Sequence, residues 1–191
     1  MLRFIILSLF LLVSLSAQDY LDKESGLNFP VEAGAYRLRA GAQADSQLRK
    51  FDDPRLGYSA AYSSPFSEVT IYVFNGGVEG IKNGVSGKWV NHFFQQAMHE
   101  VKSYEKEGYY NNIQLFKVGE EFSEVYPKFL LGKKMTYSIN EQDSKEKVKS
   151  YLFCCGWKGN VFKVRATGGV DSNFEDSLVE LLSKFTEQFT K

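Results

Sequence analysis

Cysteine is scarce in this chain, and the scarcity excludes a class of fold. Only 2 occur, side by side at Cys154 and Cys155. A small secreted domain held by disulfides carries more of them, spread along the chain, so the core here must hold by packing. In a regular strand neighbouring side chains point to opposite faces, and the two sulfurs cannot meet without a severe local turn. The expected state is two buried thiols, one on each face of a sheet, because free cysteine is among the most buried residue types. A vicinal disulfide or an intermolecular bridge is the alternative.

An excess of one charge is lacking too. Lys and Arg number 23 against 23 Asp and Glu, a balance that argues against nucleic acid as a partner, since phosphates demand clustered cations. Repeats, low-complexity tracts and a dividing linker are absent. Beyond Ala17 no apolar run approaches the roughly 20 residues that a spanning helix needs. Catalytic signatures are missing as well. No Gly-x-Ser-x-Gly elbow occurs. Gly87-Lys88 is followed by Trp89 where a phosphate loop needs Ser or Thr, and Lys82 stands where its first glycine belongs. Asp52-Asp53 and Glu120-Glu121 fall in stretches where solvated charge is expected, without the ligand spacing of a calcium loop. No cofactor and no metal is implied.

What the chain does have begins at its N-terminus. Arg3 precedes an apolar run from Phe4 to Leu15, broken only by Ser8 and Ser14, and the small residues Ser16 and Ala17 follow it. That is the charged, apolar and cleavage-site order of a secretory signal peptide, expected over residues 1–17. No cysteine lies nearby to carry a lipid. The protein is expected to be exported, periplasmic or secreted, with no stable membrane anchor after cleavage. Residues 18–191 are expected to form one globular domain.

The hydrophobic pattern predicts strands, a helix, strands and a final helix. Leu56 to Tyr62 and Ser67 to Asn75 read as a hairpin across Ser63-Ser64-Pro65. From Gly87 the period changes, and Val90, Phe94, Ala97, Val101 and Tyr104 form one helical stripe that Gly108 ends. Ile113 to Val118, Phe129 to Ile139, Val148 to Cys155 and Val161 to Ala166 then read as a meander of strands. Ser172 and Glu175 form a candidate capping box before Phe174, Leu178, Leu181, Phe185 and Phe189. The expected class is α+β, with a mainly antiparallel sheet of about six strands and a central and a C-terminal amphipathic helix. Tyr151-Leu152-Phe153 is apolar on both faces, which predicts cover on both sides of the sheet.

Few side chains stand out as contact candidates. His92 and His99 lie seven apart on the first helix, about 10.5 Å along its axis, too far to share a metal. They read as a solvated face or as a pH-sensitive contact surface. Tyr109, Tyr110 and Trp157 fall in predicted loops, where aromatic residues either cap the core edge or anchor a partner.

Gly26-Leu27-Asn28-Phe29-Pro30, the two runs of strands, the central helix, the turn at Gly156 to Asn160 and the terminal amphipathic helix together resemble the PsbP/Mog1/DcrB-like α/β/α sandwich family. The tryptophan that this family often places after the early proline is missing. The resemblance implies a non-enzymatic accessory module that docks on a larger assembly, and it carries over no catalytic residue. The leading expectation is therefore an exported binding domain with a protein partner. A small hydrophobic ligand or lipid is the alternative, and a hydrolase pairing Cys154 or Cys155 with His92 or His99 is the third.

Overall fold

A computed structural model describes residues 19–21, 25–39, 49–50, 52–116, 131–139 and 147–189. The expected signal peptide, Glu120-Glu121 and Tyr126 lie outside the described residues. The elements run β1 (Tyr20–Leu21), β2 (Asn28–Phe29), β3 (Glu32–Ala33), β4 (Tyr36–Leu38), β5 (Arg49–Lys50), a 3-10 turn (Pro54–Leu56), β6 (Tyr58–Ser63) and β7 (Ser67–Phe74). Helix α1 (Lys88–Lys106), strands β8 (Tyr110–Phe116), β9 (Leu131–Ile139), β10 (Lys147–Trp157) and β11 (Asn160–Gly169), and helix α2 (Glu175–Phe189) follow.

The fold is α+β. All pairings in the main sheet are antiparallel, in the order β3-β4-β6-β7-β11-β10-β9-β8, with β5 beside β6. Strands β6 to β11 are the six long ones; β3, β4 and β5 are two or three residues each, too short to show a period. A separate two-stranded sheet joins β1 to β2.

Strand alternation sorts the sheet's side chains into two cores. Val69, Ile71 and Val73 of β7, Phe162, Val164 and Ala166 of β11, and Tyr151, Phe153, Cys155 and Trp157 of β10 face α2, which supplies Leu178, Leu181, Leu182 and Phe185. The opposite register of β10, Val148, Leu152 and Cys154, faces α1 and meets Val90, Phe94, Ala97, Met98 and Val101. Each of these large side chains contributes about 1.5–3 kcal/mol on burial. Tyr104, the last residue of the expected α1 stripe, is 42% exposed, while Met98 is buried in its stead.

The α2 core also takes residues from the start of the described chain. Phe29 meets Phe185 edge to face with ring centroids 5.4 Å apart. Beside them Asn28 and Gln188 exchange hydrogen bonds: the Asn28 N–H donates to Gln188 Oε1 at 2.7 Å, and Gln188 Nε2 donates to the Asn28 carbonyl at 2.8 Å.

At the other end of the sheet a loop substitutes for a strand. Among the described residues pairing of β10 with β9 runs to Cys154 and Leu131, and Gly156 exchanges backbone hydrogen bonds of 2.8 and 3.0 Å with Gly84. A Cβ on Gly156 would lie 1.9 Å from the Lys82 carbonyl oxygen, so only glycine lets this loop close in. The loop leads into α1 and so fixes where that helix starts.

The expected capping box does not form. Helix α2 begins at Glu175, and the Ser172 hydroxyl turns back to donate to the Gly169 carbonyl at 2.6 Å. The Glu175 carboxylate is drawn to the sheet, where Lys149 Nζ lies 2.8 Å from it and the Tyr151 hydroxyl donates to it at 2.6 Å. This partly buried ion pair outcompetes the backbone N–H as a partner.

Burial alone would raise the Glu175 pKa, but the hydrogen bonds from Lys149 and Tyr151 outweigh it and hold the carboxyl below its ordinary value of 4.5. A depressed native pKa adds stability that is fully present above the unfolded value and is lost as pH falls through the native one. Glu175→Gln is expected to lower the unfolding free energy by about 1–2 kcal/mol at neutral pH. The gap between the urea midpoints of wild type and variant should narrow as pH falls below the ordinary carboxyl value; a gap that persists undiminished into acid refutes the charge assignment.

Candidate functional site

The same alternation that fills the α2 core places Tyr72 and Phe74 of β7 and Lys163 of β11 on the α1 side of the sheet. Helix α1, however, packs over β8 and β10. Its flank therefore overhangs a part of the sheet that no element covers among the described residues, and a cleft of about 500 Å³ opens there. Tyr72, Phe74 and Lys163 line its sheet side, Trp89, His92, Phe93, Gln96, Ala97 and Glu100 its helix side, and Asp53, Arg55 and Leu56 one end.

Helical geometry explains the wall. Trp89, Phe93, Gln96 and Glu100 recur at spacings of four, three and four, so they form a second stripe beside the buried one. Its aromatic end interlocks with the sheet. Phe74 and Phe93 meet edge to face at 5.0 Å, and the His92 ring lies 5.3 Å from Phe93 and 5.8 Å from Trp89. Gly76, with φ of +63°, lets the chain turn beneath this cluster; a Cβ there would sit 2.3 Å from the Phe93 ring.

Charge is distributed unevenly in the cleft. The Arg55 guanidinium is engaged by Asp53, with Nε 2.9 Å from Oδ1 and Nη2 2.7 Å from Oδ2, and these bonds hold the Asp53 carboxyl below its ordinary range. Glu100 accepts a hydrogen bond from Gln96 and is exposed. Lys163 is half-buried and has no carboxylate partner among the described residues. Its ammonium lies 4.7 Å from the Tyr72 ring centre and 5.4 Å from that of Phe74, contacts that contribute about 0.5–2 kcal/mol each.

The residues singled out from sequence fall into separate groups: His92 and His99 line one depression on the outer face of α1, and Tyr109 and Tyr110 both meet Tyr104. His92 lines the cleft, and His99, one heptad on, does not; both are exposed. Tyr109 is 59% exposed at the turn after α1, edge to face with Tyr104 at 5.8 Å. Tyr110 begins β8, and its hydroxyl accepts from Arg165 Nη2 at 2.9 Å. Trp157 corrects an expectation: it is the last residue of β10, paired with Asn160, not a loop residue. It is 6% exposed and packs on Phe189 at 4.7 Å, so it closes the α2 core and presents no anchor to a partner. The physical reason is that the hairpin turn needs only Lys158 and Gly159, which leaves Gly156 and Trp157 in the ladder.

Cys154 lies in the α1 core and Cys155 in the α2 core; both are free thiols. Burial pushes the Cys154 thiol up to about 12 and raises Cys155 as well. Both are therefore protonated at neutral pH, the inert state of a structural cysteine. Among the described residues no three His, Cys, Asp or Glu side chains converge as a metal site.

Tyr72 and Phe74 fall within the strand predicted from Ser67 to Asn75, but nothing in the sequence joins them to Trp89, Phe93 and Lys163. The available signal was the second α1 stripe, which starts with two large aromatic residues where a solvated face would be polar. No protein-family model, no curated protein and no solved structure matches the chain.

A thiol-reactive chromogen should find almost no reactive cysteine in the native protein and 2 after denaturation. Rapid native labelling of either residue would contradict the burial of both.

Proposed function

We propose that the chain is an exported, non-enzymatic binding domain whose aromatic cleft takes a small, partly apolar ligand. The observation that carries this is the cleft itself: about 500 Å³, with Tyr72, Phe74, Trp89 and Phe93 as its aromatic wall and polar side chains, Lys163, His92 and Gln96 among them, lining the rest. Ligand sites have this size and character, typically about 300–1,000 Å³ and mostly apolar with a few placed polar groups.

Export is supported by the Arg3, apolar and small-residue order of the first residues. No helix among the described residues is long and apolar enough to cross a membrane. The non-enzymatic reading is supported by the inert thiols and by the lack of a base beside a nucleophile in the cleft, whose titratable residues are Asp53, Arg55, Tyr72, His92, Glu100 and Lys163. A sheet covered by one helix on each face fits the resemblance to the PsbP/Mog1/DcrB-like sandwich, which likewise implies an accessory module without catalysis.

The protein-docking reading draws support from a different place. Tyr104 and Tyr109 are 42% and 59% exposed and meet edge to face at the end of α1, and exposed tyrosines are favoured anchors of protein interfaces. A photo-crosslinking residue at position 109 should then give one discrete adduct in the exported fraction of the source cell, and a control at the equally exposed Leu21 should not. Identical adduct patterns at both positions reject this docking face.

For the cleft, the neutral fluorophore N-phenyl-1-naphthylamine is expected to bind saturably, and Trp89→Ala or Phe93→Ala to weaken it about tenfold, a loss of about 1.4 kcal/mol. Far-ultraviolet dichroism should show both variants folded. Absence of saturable binding, or equal affinity in folded variants, overturns the assignment of the cleft.

A further inference from the structure

The proposed ligand site has one feature that an apolar pocket does not require. Lys163 faces Tyr72 across the β7–β11 ladder, and its ammonium is held among the rings on the sheet side of the cleft. The head of a half-buried lysine ordinarily reaches out to water, whereas this one lies over two rings lining the cleft, and no carboxylate neutralises it among the described residues. The other charges on the cleft are accounted for differently. Arg55 is already forked onto Asp53, and Glu100 is exposed on the helix, where water screens it.

Resting on the reading of the cleft as a ligand site, we infer that Lys163 is the counter-charge for the ligand, which is a small amphipathic anion: a ring-sized apolar body with a single carboxylate or sulfonate. The apolar body lies against Phe74, Phe93 and Trp89, and the negative group reaches the Lys163 ammonium. The charge is recognised where the surrounding rings exclude part of the water, so an ammonium–carboxylate contact there is stronger than at the open surface. Lysine's stem is long enough to keep its packing on Tyr72 while its head turns toward the ligand.

Two probes of nearly one skeleton test the charge separately from the cleft. N-phenyl-1-naphthylamine is neutral, and 8-anilinonaphthalene-1-sulfonate adds a sulfonate to the same rings. The sulfonate is expected to bind the full-length mature protein about tenfold more tightly, an advantage of about 1.4 kcal/mol. Lys163→Met should remove that advantage and leave the neutral probe within about twofold, whereas Lys163→Arg should retain most of it. Lys102→Met, on the exposed face of α1 outside the cleft, should change neither. 1-Naphthoate should displace the sulfonate probe, and 1-naphthalenemethanol should not. If both probes bind alike, or if Lys163→Met weakens them equally, the anionic specificity is wrong while the cleft reading stands. If neither probe binds saturably, both fall.

Discussion

Everything in this fold depends on one strand being buried on both of its faces. From Ser150 to Trp157 each residue of β10 is buried, and a strand in that position cannot exist without a layer on each side. The requirement for two helices follows from it, one per face. So does the fate of the adjacent cysteines: alternation sends Cys154 and Cys155 into different cores, where each fills space as a small apolar group. A pair of thiols that might suggest redox chemistry is, in this setting, packing material on either side of one backbone.

The two layers are not equally complete. Helix α2 and the early segment around Leu27 and Phe29 together cover their face, from β6 across to β10. Helix α1 packs chiefly over β8 and β10, joined in its core by Ile81 and Val78 of the preceding loop and meeting β7 at Phe74. A single helix is about 10–12 Å across with its side chains, roughly the width of two to three strands at 4.7–4.9 Å spacing. Among the described residues a sheet this wide is therefore left with an open margin on the α1 side, and the candidate cleft lies along it. Aromatic residues populate that margin because β7 positions are either sealed beneath α2 or half-exposed on the α1 side, and Tyr72 and Phe74 suit the half-exposed case.

The parts of this arrangement that were readable in the sequence are those encoded by local period. The α1 span, bounded by Gly87 and Gly108, and the long strands all follow from runs whose own spacing declares them. The misread positions are those decided by competition. Ser172 had the right spacing to Glu175 for a cap, but Lys149 and Tyr151, more than twenty residues away in sequence, offered the carboxylate better partners. Trp157 sat among glycines and looked like a loop until the hairpin proved to turn in two residues. The cleft was hardest, since its walls come from β7, α1 and β11, and only the position of α1 over the sheet unites them. That position depends on the close approach of the Lys82 to Gly84 loop to Gly156, which no periodicity announces.

The paired amides of Asn28 and Gln188 also govern when the fold can close. They join residues 160 apart in the chain, and Phe29 and Phe185 meet beside them in the α2 core. Contacts of such sequence separation form only after a large loop-closure cost has been met. A chain that still lacks the segment around Phe185 has no partner for Phe29 and cannot seal that core. Closing the α2 layer is therefore expected among the last events of folding, whatever the order in which the strands pair.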